Sequence, residues 1–426
     1  MTQTQSAPPT VSWSPPPPQQ APKQRGITGT WFDGTPGRMR AFLIVAAVVG
    51  VLFGLSAAQG FQQSEGALQR ADANAAQLVR IQAIHTNLVS ANADATNAFL
   101  VGGLEPPAQR QHFVDSMASA ARLVADAASA QPADREVLGQ LNTTLVTYQG
   151  LIEQARANNR QGLPIGSQYL RDANAVLQND SLPLVKALVT ANEKRVDTEF
   201  KGANNGVFWV FVAGLLAATV LLTTLRWLAG RTHRYLNIPI LISTVVVVLT
   251  TLIGGFALLS ASGQASDTRK GDYDTTLALS RARIAAYDAR SNESLTLIAR
   301  GSGEAYNKEY DASAAVVVQN LKGSNSTVLR NTWQAYQALH DSVRDDDNDG
   351  KWDLAVATAT KKSVEAFAAF DKGSEAALTE SGTAVTNSLR DAKDGLPPIG
   401  LLGLPIGIAV ALLVAWGMSQ RLGEYR

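Results

Sequence analysis

The sequence predicts an all-α membrane protein in which four transmembrane helices carry two duplicated extracytoplasmic four-helix bundles. Three observations predict it. Charged residues make up only 17% of the 426 residues, against about 25% in typical globular chains. The deficit is concentrated in four windows that contain no Asp, Glu, Lys or Arg. The two long segments between those windows break repeatedly at Gly and Pro, and the runs between breaks have helical apolar spacing.

The charge-free windows are Ala41–Phe61, Val207–Leu225, Ile238–Ala261 and Leu396–Met418, of 21, 19, 24 and 23 residues. At 1.5 Å per residue, about 20 apolar residues cross a hydrocarbon core of roughly 30 Å, so all four qualify as membrane spans. Ser56-Ala57-Ala58 resembles a signal-peptidase site, but 40 residues precede the first window, and an uncleaved anchor is expected. Val245–Val248 is β-branched yet lies inside the third window, so it reads as membrane helix rather than strand.

Orientation follows from the basic residues of the short flanks. The N-terminal tail (1–40), the connection 226–237 and the C-terminal stub (419–426) together carry +7, which places both ends in the cytoplasm. The segments 62–206 and 262–395 carry a net −6 and are expected outside. The tail is Pro-rich, with Pro15–Pro18 consecutive, and is expected to be disordered. Trp31 and Phe32 suit a headgroup or partner contact, as do Arg226, Arg231 and Arg234 of the basic loop.

Each outer segment has three breaks, hence four helices. In the first they fall at Gly102–Pro107, Gln131-Pro132 and Gly162–Gly166; in the second at Gly301–Gly303, Gly323–Ser326 and Asp345–Gly350. Apolar positions such as Ile81, Ile84, Leu88 and Ala91, or Leu138, Leu141, Leu145 and Tyr148, define buried stripes. The second segment offers Val328, Trp333, Tyr336 and Leu339. Tyr148-Gln149 with Gly162 aligns with Tyr336-Gln337 and Gly350 without a gap, which suggests duplication. Small residues recur every fourth position at Ala46, Gly50, Gly54 and Ala58, and at Gly403, Gly407, Ala411 and Ala415. Such ladders let the first and fourth membrane helices pack on each other or across a homodimer.

Composition excludes several function classes. The chain has no Cys, which removes disulfides, Fe–S clusters, thiolate zinc sites and a cysteine nucleophile. A net charge of +1 argues against a nucleic-acid partner. The four histidines His85, His112, His233 and His340 show no metal or catalytic spacing, so surface or bundle-flank positions are expected and no enzyme or cofactor is predicted. Asp345, Asp347 and Asp349, followed by Gly350, resemble the first half of a calcium loop, although the twelfth position is Val356 instead of Glu; a solvated turn before a helix explains the acids better. Arg80, Arg290 and Arg300, with Asn92 and Asn292 nearby, are candidate clamps for a carboxylate ligand, with solvent-facing arginines the simpler expectation. No membrane window carries an intramembrane charge, which disfavours a transporter.

The duplicated bundles between membrane helices resemble chemoreceptor-type sensor domains. More narrowly, Ala98–Pro106, Gly162–Gly166 and Ser294–Gly301 resemble the actinobacterial GlnX-type membrane transducers. That resemblance implies a relay: an amino-acid-binding lipoprotein outside, and a serine/threonine protein kinase inside. The expected function is therefore a non-enzymatic sensor of the bacterial plasma membrane for an extracellular nutrient. After the fourth window only Ser419–Arg426 follow, so output is expected to pass through a separate cytoplasmic protein. The competing expectation is a structural or scaffold protein of the cell envelope.

Overall fold

A computed structural model describes residues 34–101, 104–202, 205–232, 237–322 and 326–423. The Pro-rich tail through Asp33, with Trp31 and Phe32, lies outside the described residues, as do His233, Arg234, the glycine breaks at 102–103 and 323–325, and residues 424–426.

Every described element is helical. The first half comprises α1 (Gly34–Val101), α2 (Pro107–Ala130), α3 (Arg135–Arg160), α4 (Ile165–Val176), α5 (Leu182–Gly202) and α6 (Asn205–Thr232). The second comprises α7 (Ile238–Thr268), α8 (Asp274–Ile298), α9 (Glu304–Lys322), α10 (Thr327–Asn348), α11 (Trp352–Thr360), α12 (Lys362–Asp394) and α13 (Ile399–Gly423). One-turn π-helical joints at Leu177–Ser181 and Arg269–Tyr273 fuse α4 to α5 and α7 to α8. The first has a visible cause. Pro183 lacks an N–H and its ring crowds the carbonyl a turn earlier, so the helix widens and Leu182 N–H bonds back to Leu177.

Local signals stop the helices where the sequence predicts. Ser326 caps α10 by accepting from Leu329 N–H at 3.2 Å. Gly162 and Gly350 both have positive φ, +67° and +77°. At each, the next residue's N–H reaches five residues back, Leu163 to Asn158 at 2.9 Å and Lys351 to Asp346 at 2.8 Å. These are the same left-handed C-terminal cap, which glycine adopts without strain. One predicted core position differs: Val328 is exposed in the first turn of α10, and Leu329 is buried instead.

Four helical stretches carry windows long and apolar enough to cross a membrane, within Gly34–Val101, Ile165–Arg231, Ile238–Ile298 and Trp352–Gly423. The chain is a multi-pass membrane protein. Met39, Phe53, Leu221, Val247 and Val414 meet inside a four-helix membrane bundle, while Leu52, Leu215, Leu252 and Leu412 stay exposed on its outside. The small-residue ladders do meet, within one chain. A Cβ at Gly54 would collide with the Gly403 carbonyl and lie 2.7 Å from Gly407 Cα, and one at Gly407 would lie 2.8 Å from the Gly50 carbonyl. Asn237 ties the other pair: it caps α7 and donates to the Gly417 carbonyl of α13 at 2.8 Å.

The membrane spans and the outer bundles are not separated by loops at every boundary. The boundaries at 61/62 and 261/262 fall inside helices: α1 runs 68 residues, about 100 Å, from the membrane segment to the distal tip, and α7 continues through its joint into α8. The connection starting at 226 is likewise helical as far as Thr232. Nor do the bundles have separate cores. One apolar core includes Leu88 and Tyr148 of the first and Ala286, Trp333 and Phe367 of the second. The central pair is α1 and α8, and residues 88–98 of α1 are buried on every face. Small side chains allow it: Ala91, Ala93, Ala95 and Ala98 of α1 and Ala282, Ala286 and Ala289 of α8 are all buried. Nearer the membrane, Leu68, Phe200, Tyr273 and Leu389 from all four long stretches form a stalk core. Ion pairs Arg281–Glu193 at 2.6 Å and Arg269–Asp197 at 2.7 Å bind the halves across the stalk.

Gly54→Leu is expected to lower unfolding stability of the purified protein by about 1–3 kcal/mol through overpacking against Gly403 and Gly407, measured by thermal unfolding in detergent. The control is Leu52→Ala on the exposed face, expected to leave the midpoint nearly unchanged.

Candidate functional site

Buried polar groups concentrate along the α1–α8 contact, with a second network where Asp134 meets Gln77, Asn192 and Arg195. Asn92 of α1 is the hub of the α1–α8 contact. Its amide nitrogen donates to Asn174 of α4 and to Ser291 of α8, both at 2.9 Å, and its carbonyl accepts from the Tyr148 hydroxyl of α3 at 3.2 Å. One side chain thus joins three helices of the first bundle to the second.

Two residues on, Asp94 is buried and doubly engaged. Its Oδ2 bonds to His112 Nδ1 of α2, and its Oδ1 lies 3.5 Å from the Arg290 guanidinium of α8. Arg290 is itself buried, with its guanidinium carbon 5.0 Å from the Phe367 ring centroid. The hydrogen bond to Asp94 holds the His112 imidazole above its ordinary value, against the opposing effects of burial and Arg290. A second buried carboxylate, Glu293, meets His340 Nδ1 of α10 at 2.8 Å, and Tyr310 of α9 stacks on that imidazole. Burial of an unpaired charge is costly, so these partners are what permit carboxylates in a core.

Beside the seam a groove of about 810 Å³ opens between the halves. Its walls are α5 and α8, with α1 and α9 closing it. Leu182, Val189, Ile284 and Val316 give it an apolar lining, and His85, Gln178 and Asp288 are among its polar groups. Burial pushes the Asp288 carboxyl up to about 7 and the His85 imidazole down to about 4.

The sequence-predicted residues fall in different places. Arg290 is in the seam rather than facing solvent, because Asp94 and Phe367 draw it inward. Arg80 bonds to Gln77 at 3.2 Å beside a cleft on another face, with Arg283 and Arg390. Arg300 is at the distal tip, at φ +40°, 3.9 Å over the Trp352 ring. The three arginines do not form one clamp. His340 is buried against Glu293, whereas His112 lies on the bundle surface as expected and reaches in to the buried Asp94.

The calcium candidates are separated. Asp345 and Asp347 lie in the last turn of α10, Asp347 pairs with Arg344 at 2.6 Å, and Asp349 pairs with Lys351 at 2.9 Å. The backbone is helical through Asn348, and no group of three or more His, Asp or Glu among the described residues is placed to hold a metal. Arg226 and Arg231 are exposed on the last turns of α6. Sequence reasoning missed Asp94, Asp288, Ser291 and Glu293; the available signal was a lone acid in an otherwise uncharged small-residue run, as at Asp94.

Residues 67–201 match the family model of the actinobacterial sensor domain. The match spans the outer part of α1 through α5, which is the first bundle together with one wall of the groove. No curated protein and no solved structure matches the chain. The similarity of this bundle to a sensor domain supports a sensing or signalling role.

Asp94→Asn should destabilise the protein by about 2–4 kcal/mol by leaving Arg290 buried without its counter-charge, and Arg290→Met in that background should recover part of the loss, both read by chemical unfolding. Asp288 titrates above the ordinary carboxylate value, so the folded state binds more protons than the unfolded one between about pH 4 and pH 7, and its ionisation costs stability as pH rises. Asp288→Asn is therefore expected to raise the melting midpoint at pH 8 and to leave it unchanged at pH 4.

Proposed function

We propose that the protein is a sensor of the bacterial plasma membrane, with both ends cytoplasmic, that relays an extracytoplasmic nutrient signal as movement of its membrane helices. The observation that carries this reading is the continuity of the helices that make the seam. Asn92 and Ser291 meet across two bundles, and each lies on a helical stretch that reaches the membrane segment. An α-helix transmits axial shift or rotation over the roughly 45 Å from Asn92 to the end of the first apolar window. A ligand or partner that alters the α1–α8 contact therefore alters how α1 sits against α6, α7 and α13.

The positive flanks support the orientation. The similarity of 67–201 to a sensor domain supports sensing at the first bundle. The GlnX-type resemblance of the distal loops supports a relay in which a solute-binding lipoprotein engages the bundles and a cytoplasmic serine/threonine kinase reads the membrane helices.

The chain has no native Cys, so engineered cysteines report without background. Cysteines placed at Gly50 and Ala411 are expected to cross-link at different rates with and without an active nutrient in intact cells, because these positions face each other between α1 and α13. Affinity purification should retain an extracytoplasmic solute-binding protein and a soluble kinase. A cross-linking rate that ignores every nutrient tested, together with retention of neither partner, would overturn the relay and favour an envelope scaffold.

A further inference from the structure

We propose that the groove between α5 and α8 is a binding site for an organic ammonium ion with a compact hydrocarbon body. This names a ligand class for the sensing reading above and rests on that reading for its purpose, though not for its chemistry.

The groove's volume of about 810 Å³ suits a small organic molecule. Leu182 and Val189 of α5, Ile284 of α8 and Val316 of α9 supply an apolar body site. The polar lining is what sets the sign of the ligand. At one end Arg281 and Glu193 neutralise each other at 2.6 Å. Lys186 is exposed to solvent. At the other end Asp288 has a single weak engagement, the Gln178 amide at 3.5 Å, and no cation pairs with it among the described residues. Glu309 of α9 adds negative potential from a further side.

A second acceptor points the same way. His85 Nε2 is buried on α1 with no hydrogen-bond partner, although its residue lines the groove. A neutral imidazole protonated at Nδ1 offers Nε2 as an acceptor. One uncompensated carboxylate and one unsatisfied ring nitrogen both ask for N–H groups and positive charge. An ammonium answers both, and an anion or a neutral alcohol leaves Asp288 uncompensated.

The test is isothermal titration of the purified full-length protein in detergent at pH 8, with phenethylammonium as probe. Its neutral isostere 2-phenylethanol and its anionic analogue 3-phenylpropanoate are the controls. The expected result is saturable binding of the ammonium, at least tenfold tighter than either control. Asp288→Asn should weaken that binding at least tenfold while the protein keeps a cooperative melt, and His85→Phe should weaken it several-fold. Equal binding of all three probes, or undiminished binding to folded Asp288→Asn protein, overturns the proposal. The Gly50/Ala411 cross-link separates the two readings. Ammonium binding that leaves the cross-link unchanged keeps the site and counts against sensing through it. A cross-link that responds to another nutrient while phenethylammonium does not bind keeps sensing and overturns the site.

Discussion

Everything in this fold depends on bringing two ordinary helices, α1 and α8, close enough to share one interior. Both are largely buried near the seam, so each must be narrow there, and alanine and serine make it so. Narrow helices bury little apolar area apiece, and dispersion alone would specify their register weakly. The Asn92 hub corrects that. Its amide satisfies groups from α3, α4 and α8 at once, and a slip of one residue along α8 leaves several buried donors and acceptors unmet. Polar specificity at the centre and apolar bulk at the rim, from Trp333, Tyr336 and Phe370, divide the labour of folding.

The membrane end uses the opposite device for the same purpose. There α1 meets α13 through glycines whose backbones touch, with no side chain between them. In lipid, close backbone contact recovers the dispersion that lipid tails would otherwise supply equally well. The same helix is thus held by hydrogen bonds at one end and by shape at the other. Contacts of both kinds are intolerant of small displacements, so the structure favours discrete alternative packings over gradual deformation.

The fold was legible because its strongest signals are compositional. A membrane span cannot carry charge freely, and a glycine with positive φ ends a helix wherever it stands, so the four windows and the caps at Gly162 and Gly350 could be read directly. The core stripe of α3 was readable too, because that helix has one buried face, from Leu138 to Ala155. The association of the bundles was hidden. A helix buried all round lacks the periodicity that betrays a partner, and Asn92, Asp94 and Arg290 look like surface residues until their partners, up to 199 positions away, are known. The acidic run at Asp345–Asp349 allowed two readings for a related reason. Ligand spacing was present, but the backbone there is a helix end whose carboxylates are occupied by Arg344 and Lys351.

The length of α1 also sets a timetable. Its distal half is synthesised before any of α8 exists, and Asn92 waits for Ser291 while 199 further residues are added. At 5–20 residues per second that is a delay of roughly 10–40 seconds. A helix end made of leucine would spend that interval as an aggregation site. One made of alanine with Asn, Asp, Ser and Thr stays hydrated until its late partner arrives. The polar seam is thus a way of keeping an unfinished protein soluble during its own manufacture.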